Sequence, residues 1–138
     1  VQNLKDAYVK MIEYISINCV DFSNNTAKVP YIYLFTNGYA GYSGYNYTEE
    51  RRLEYNKMFY ELSNTYQNVR IFDLAKYITK DNYTTYLGDS LHYNADGMSL
   101  ISTKLVEQLQ NDFSNTKKIE RANKCNTKLV YYKKENNE

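Results

Sequence analysis

Asp89 and His92, a carboxylate and an imidazole three residues apart, are the side chains whose types and spacing best suit chemistry, and His92 is the only histidine of the chain. At that spacing the carboxylate can accept from one ring nitrogen, fix the tautomer and stabilise the ring when it takes a proton. The other nitrogen is then left to act as a general base. An exposed loop in which the two residues are merely neighbours gives the same short string, and D-x-x-H alone does not separate these readings. The flanking residues add context. Leu87-Gly88-Asp89-Ser90-Leu91-His92-Tyr93-Asn94-Ala95-Asp96-Gly97-Met98 runs directly into a helical pattern. That holds the histidine at the mouth of a helix, the fixed placement a general base needs. The sequence has no histidine cluster for a metal and no glycine-rich phosphate loop with a lysine, and no cofactor is expected.

The string Asp89-x-x-His92-x-Asn94-x-x-Gly97, followed by an amphipathic helix, resembles the last sequence block of the SGNH (GDSL-type) hydrolases. The resemblance spans roughly residues 1 to 110, and only this last block is specific. It implies an α/β fold of the flavodoxin-like kind, three layers around a parallel sheet, of which this chain is the carboxyl-terminal part. It implies an esterase acting on a small ester or an acylated carbohydrate, as in a carbohydrate deacetylase, with Asp89 and His92 as acid and base of a serine triad. Asn37, after a strand, is the candidate oxyanion donor. However, Gly38 stands where the family has an aspartate, and fewer elements than usual separate Asn37 from Asp89. An aspartate at the position of Asp73 often lines the cleft in such proteins. The other reading of Asp73 is a cap for the turn that follows.

Gly88-Asp89-Ser90-Leu91 also spells the family's nucleophile signature. That block belongs after the first strand of the domain, whereas here only a helix and a polar tail follow. Ser90 is also too close in sequence to its would-be partners, so the spelling reads as coincidence. The serine and glycine blocks have no match in the chain. The nucleophile is therefore expected in an upstream part of the same protein, and this chain alone is expected to be inactive. The alternative is a non-catalytic binding or structural module of the same ancestry, built around a tyrosine- and glycine-rich loop.

With 138 residues, 43% of them hydrophobic, the chain is long enough for one domain with a core. A net charge of +1 makes no electrostatic case for nucleic acid or a membrane surface. No run is long and apolar enough to span a bilayer, and no signal peptide is evident, which leaves the cytoplasm and secretion both open. Cys19 and Cys125 match no metal spacing and read as free thiols, with a disulfide open only to a secreted form. The 17 tyrosines fit a biased composition, or a surface offering flat faces and hydroxyls to a sugar.

The elements that must position the pair follow from periodicity. Residues 2–18 read as a helix with Leu4, Tyr8, Met11, Ile12 and Ile15 on one face. Val29–Phe35 reads as a strand buried on both faces, with Pro30 at its entry. Gly38–Tyr47 is a loop, because glycines at three-residue spacing disfavour helix and strand. Tyr39 and Tyr42 in this loop, and Tyr86 before the Asp-His block, are the candidate substrate-lining residues, with Tyr83 beside them.

Thr48–Tyr66 reads as a second helix, capped by Thr48, with Tyr55, Met58 or Phe59, Leu62 and Tyr66 inward and Arg51, Arg52, Glu54 and Lys57 solvated. A strand over Asn68–Leu74 and a helical turn within Lys76–Leu87 follow. The last helix, Asn94–Gln110, is capped by Asn94 and faces the sheet with Met98, Ile101, Leu105 and Leu109. Gly97 in its first turn implies close backbone packing. Residues 111–138 form a polar tail with one short apolar run, Leu129–Tyr132, either an added strand or a loosely docked, poorly ordered end.

Overall fold

A computed structural model of the chain describes residues 1–19, 27–115 and 120–121. The expected apolar run at Leu129–Tyr132 and Cys125 lie outside the described residues. The fold mixes helix and strand, as an α/β chain should. Among the described residues there are five helices and a small parallel sheet of two strands. In order these are α1 (Gln2–Asn18), β1 (Ala27–Lys28), β2 (Ile32–Phe35), α2 (Glu49–Thr65), β3 (Val69–Phe72), α3 (Leu74–Tyr77), α4 (Tyr83–Tyr86), α5 (Ala95–Asn115) and β4 (Glu120–Arg121). β2 pairs with β3, and β1 pairs antiparallel with β4, Ala27 opposite Arg121. No helix among the described residues is long and apolar enough to cross a membrane.

Two compact units share the chain. The first draws on Val1–Leu34 and Met58–Ile71, the second on Phe35–Lys57 and Phe72–Thr116. In the first, Ile12, Val29, Leu34, Met58, Phe59, Leu62, Tyr66 and Val69 form the buried core, with Tyr8 and Val9 of α1 packed against it. The face of α1 differs from expectation: Ile12 and Ser16 are buried, whereas Leu4 and Met11 are exposed. The reason is polar. Asn68, fully buried, donates through Nδ2 to Ser16 Oγ at 2.8 Å and to the Pro30 carbonyl at 3.1 Å. A serine with that partner belongs on the inner side, although hydrophobicity alone would turn it outward.

Pro30 also explains why β2 is shorter than the expected Val29–Phe35. It has no N–H, so the ladder begins only where Ile32 N–H donates to the Asn68 carbonyl at 2.8 Å. Of β2, Leu34 is buried and Phe35 exposed. The expected burial on both faces is absent, since a two-stranded sheet leaves more of each strand uncovered than a wide one.

The second unit has its own core of Phe72, Leu74, Ile78 and Leu87. Ala40, Tyr77, Tyr83, Tyr86, Leu100, Ile101 and Leu105 pack against it. Helix α5 starts as expected but runs to Asn115, and Met98 points outward while Leu100, Ile101 and Leu105 face the core. Gly97 sets this rotation. It is buried, and a Cβ there would collide with the Tyr86 carbonyl oxygen, so the helix start presses directly on the backbone at the end of α4.

Candidate functional site

The loop bearing Asp89 and His92 lies between two helices and is closed at both of its ends. Leu87 and Tyr93 form an antiparallel bridge, and Gly88 N–H donates to the His92 carbonyl at 2.8 Å. Asn94 then ties three pieces together. Its backbone N–H donates to the Tyr86 carbonyl at 3.0 Å, its Nδ2 donates to the Thr85 carbonyl at 2.9 Å, and its Oδ1 accepts from Gly97 N–H at 2.9 Å. The last bond caps α5 at its third residue, as the sequence implies.

Inside this frame the Asp89 carboxylate makes three bonds. Oδ1 accepts from the backbone N–H groups of Leu91 at 2.7 Å and His92 at 2.6 Å, an aspartate turn of the kind short acidic side chains favour. Oδ2 lies 2.8 Å from His92 Nδ1. A carboxylate only accepts, so Nδ1 carries the proton and Nε2 is the tautomer's basic nitrogen. The backbone bond from His92 comes first, then its ring, then Leu91 N–H. Together they hold the Asp89 carboxyl well below its ordinary 3.8, at about 2. Asp89 is therefore a full carboxylate at neutral pH. Both partners are open to solvent, with 78% of the His92 side chain and 58% of the Asp89 side chain exposed. In water their Coulombic attraction is weak, and geometry rather than charge is what the turn supplies.

The expected lining tyrosines gather in the same unit. Tyr39 meets Tyr83 edge to face with ring centres 5.0 Å apart, and Tyr39 N–H donates to the Ile78 carbonyl at 2.8 Å. Tyr42 stands 6.4 Å from Tyr47, and Tyr86 packs on the Phe72 core. Glycines 41 and 44 serve these rings by being small, since a Cβ on Gly41 would sit 2.8 Å from Tyr83 and one on Gly44 would collide with the Tyr42 ring. Tyr93, next to His92, was not singled out by the sequence. Burial pushes its phenol up, and the nearby Tyr47 phenol adds to this. Tyr47 is pushed up by burial too, against the opposing pull of Arg52.

Asn37 is committed locally. Its backbone N–H donates to Asn56 Oδ1 at 2.7 Å and its Nδ2 points to the same oxygen at 3.3 Å. Its carbonyl accepts from Asn56 Nδ2 at 3.0 Å and from Arg52 Nη1 at 2.7 Å. Arg52 is 8% exposed rather than solvated, and its other nitrogens grip Glu49 at 2.8 and 2.6 Å. This paired hydrogen bonding raises Arg52 and lowers Glu49 from their ordinary values. The side chain offered as an oxyanion donor is thus engaged with a neighbour.

Asp73 precedes α3 but makes no side-chain cap there. Instead Thr36 Oγ1 donates to Asp73 Oδ1 at 2.8 Å and accepts from Ala75 N–H at 3.0 Å, so the threonine of β2's end supplies the cap. The Thr48 cap on α2 is present, with Arg51 N–H on its Oγ1 at 3.3 Å. No group of histidine, cysteine and carboxylate side chains suited to a metal occurs among the described residues. Comparison of the chain with family models, with curated proteins and with solved structures finds no match.

Proposed function

We propose that this chain carries the acid–base pair of an SGNH-type serine hydrolase acting on carboxylic esters, with the nucleophilic serine and the remaining layers of a flavodoxin-like domain supplied from outside these 138 residues. The observation that carries the reading is the 2.8 Å contact between Asp89 Oδ2 and His92 Nδ1, which turns Nε2 into the basic nitrogen. In the reaction Nε2 takes the serine proton as the oxygen adds to the ester carbonyl. Asp89 stabilises the imidazolium, which returns the proton to the leaving alcohol, and water repeats the cycle to release the acid. Asn37 contributes to the oxyanion only if its Nδ2 leaves Asn56. Tyr39, Tyr42 and Tyr86 wall the substrate side.

One observation favours a second reading, a non-catalytic module in which the Asp-His turn is a loop staple. The ring is 78% exposed. A general base of this kind works in a dry site, so the hydrolase reading requires that the serine-bearing part cover His92. The test is hydrolysis of p-nitrophenyl acetate by the full-length protein and its His92→Ala and Asp89→Asn variants. Loss of roughly 10³-fold or more in kcat for His92→Ala is expected, with the 138-residue chain alone giving buffer rates. Equal rates for wild type and His92→Ala leave the staple reading in its place.

A further inference from the structure

The tip of the tyrosine loop breaks a local rule. Tyr47 N–H closes a turn onto the Gly44 carbonyl at 2.9 Å, and the two central residues, Tyr45 and Asn46, have φ of 52° and 59°. Asparagine tolerates that left-handed region; a bulky aromatic residue rarely enters it. Glycine would adopt it freely, yet Gly44 sits one place too early and none of the glycines has a positive φ. Nor does Tyr45 gain anything from packing, because it is 97% exposed. Arg51 Nη1 holds the Asn46 carbonyl at 3.3 Å, so the turn is braced from the start of α2. A large flat side chain is held out into water, in a conformation that disfavours it, on a braced loop. Residues held in such conformations cluster at active sites and ligand clamps.

We propose that Tyr45 is a stacking platform for the sugar ring of a carbohydrate, flanked by the hydroxyls and amide of the same turn. The inference deepens the hydrolase reading by naming the alcohol half of the ester, and it rests on that reading for its catalytic meaning. An aromatic face attracts the C–H edges of a sugar ring, while hydroxyl and amide groups around it satisfy the sugar's own hydroxyls. The turn has this make-up: Tyr42, Ser43, Tyr45, Asn46, Tyr47 and Thr48, with no aliphatic residue from Gly41 to Arg52. A pocket for an alkyl chain combines aliphatic with aromatic lining, and this stretch has rings without any aliphatic side chain. Stacking of nucleobases goes with a positively charged groove, and the net charge is only +1. Loops rich in tyrosine, serine, glycine and asparagine also bind proteins, and the test separates that case.

The full chain, without turnover, is applied to a printed array of plant, bacterial and animal oligosaccharides, and the retained glycans are titrated by calorimetry. Wild type and Tyr45→Phe should bind a common subset within about threefold of one another. Tyr45→Asn, whose side chain accepts the left-handed φ, should lose about tenfold or more while its Tm stays or rises by roughly 2–5 °C. The proposal is overturned if wild type retains no glycan, if Tyr45→Asn binds with equal affinity, or if Tyr45→Asn loses several degrees of Tm, which would give the ring a structural role. Capture of a protein partner through Tyr45 with a blank array also overturns it. Because this is a binding measurement, its failure leaves the p-nitrophenyl acetate result untouched, and the reverse holds.

Discussion

The unit built on Ile12, Met58, Leu62, Tyr66 and Val69 and the unit that carries the Asp89–His92 loop are held together by different means. The first is chiefly a packed apolar core in which one buried asparagine, Asn68, organises Ser16 and the Pro30 carbonyl. The second has a smaller buried core of Phe72, Leu74, Ile78 and Leu87 and many polar ties: Arg52 to Glu49 and Asn37, Thr36 to Asp73 and Ala75, and Asn94 to Thr85 and Gly97. Burial is non-directional, whereas hydrogen bonds fix angles. The unit with the Asp89–His92 turn and the packed tyrosines relies more on the second kind of bond.

The sharpest way to break the comparison is to remove the small apolar core of the second unit. Phe72→Ala should cost about 3–5 kcal/mol by urea denaturation, as much as an equivalent change in the larger core, because Phe72 is fully buried. Gly97→Ala comes next. The added methyl meets the Tyr86 carbonyl, and the expected loss is about 1–3 kcal/mol together with a changed His92 ring resonance in NMR. Arg52→Met should follow at about 1–3 kcal/mol, since it leaves the Asn37 carbonyl short of a donor while Asn56 keeps part of the contact. A loss well below this range would mean that the polar ties shape the unit without stabilising it.

The smallest effect is the acid limb. The Asp89 carboxyl lies at about 2 in the fold, below its ordinary 3.8. Its contribution is therefore fully present above about pH 4 and is lost as pH falls through 2. Asp89→Asn should flatten that limb, as read by denaturation at pH 5 and pH 2.5, and leave the first unit's core unaltered.

Helices and strands were largely legible from the residues, because their apolar spacing and caps are local. Gln2–Asn18 matches the expected helix, Thr48 and Asn94 cap as their positions imply, and Gly97 packs closely. The Asp89–His92 contact was legible for the same reason, since a turn of four residues makes it without help from the rest of the chain. What could not be read depends on partners distant in sequence. Ser16 faces inward because of Asn68, Arg52 is buried because of Asn37, and Thr36 rather than Asp73 caps α3. The left-handed pair at Tyr45 and Asn46 was missed because the neighbouring glycines draw attention as the turn formers. They are small so that Tyr83 and Tyr42 can approach.

Asn94 has one more implication. Holding Thr85, Tyr86 and Gly97 at once leaves the segment between α4 and α5 no slack to swing. In the hydrolase reading His92 then sits on a fixed backbone rather than on a lid, and the substrate must travel to it. Encounter should then be a single kinetic step, its rate proportional to concentration with no plateau from a slow rearrangement of this segment.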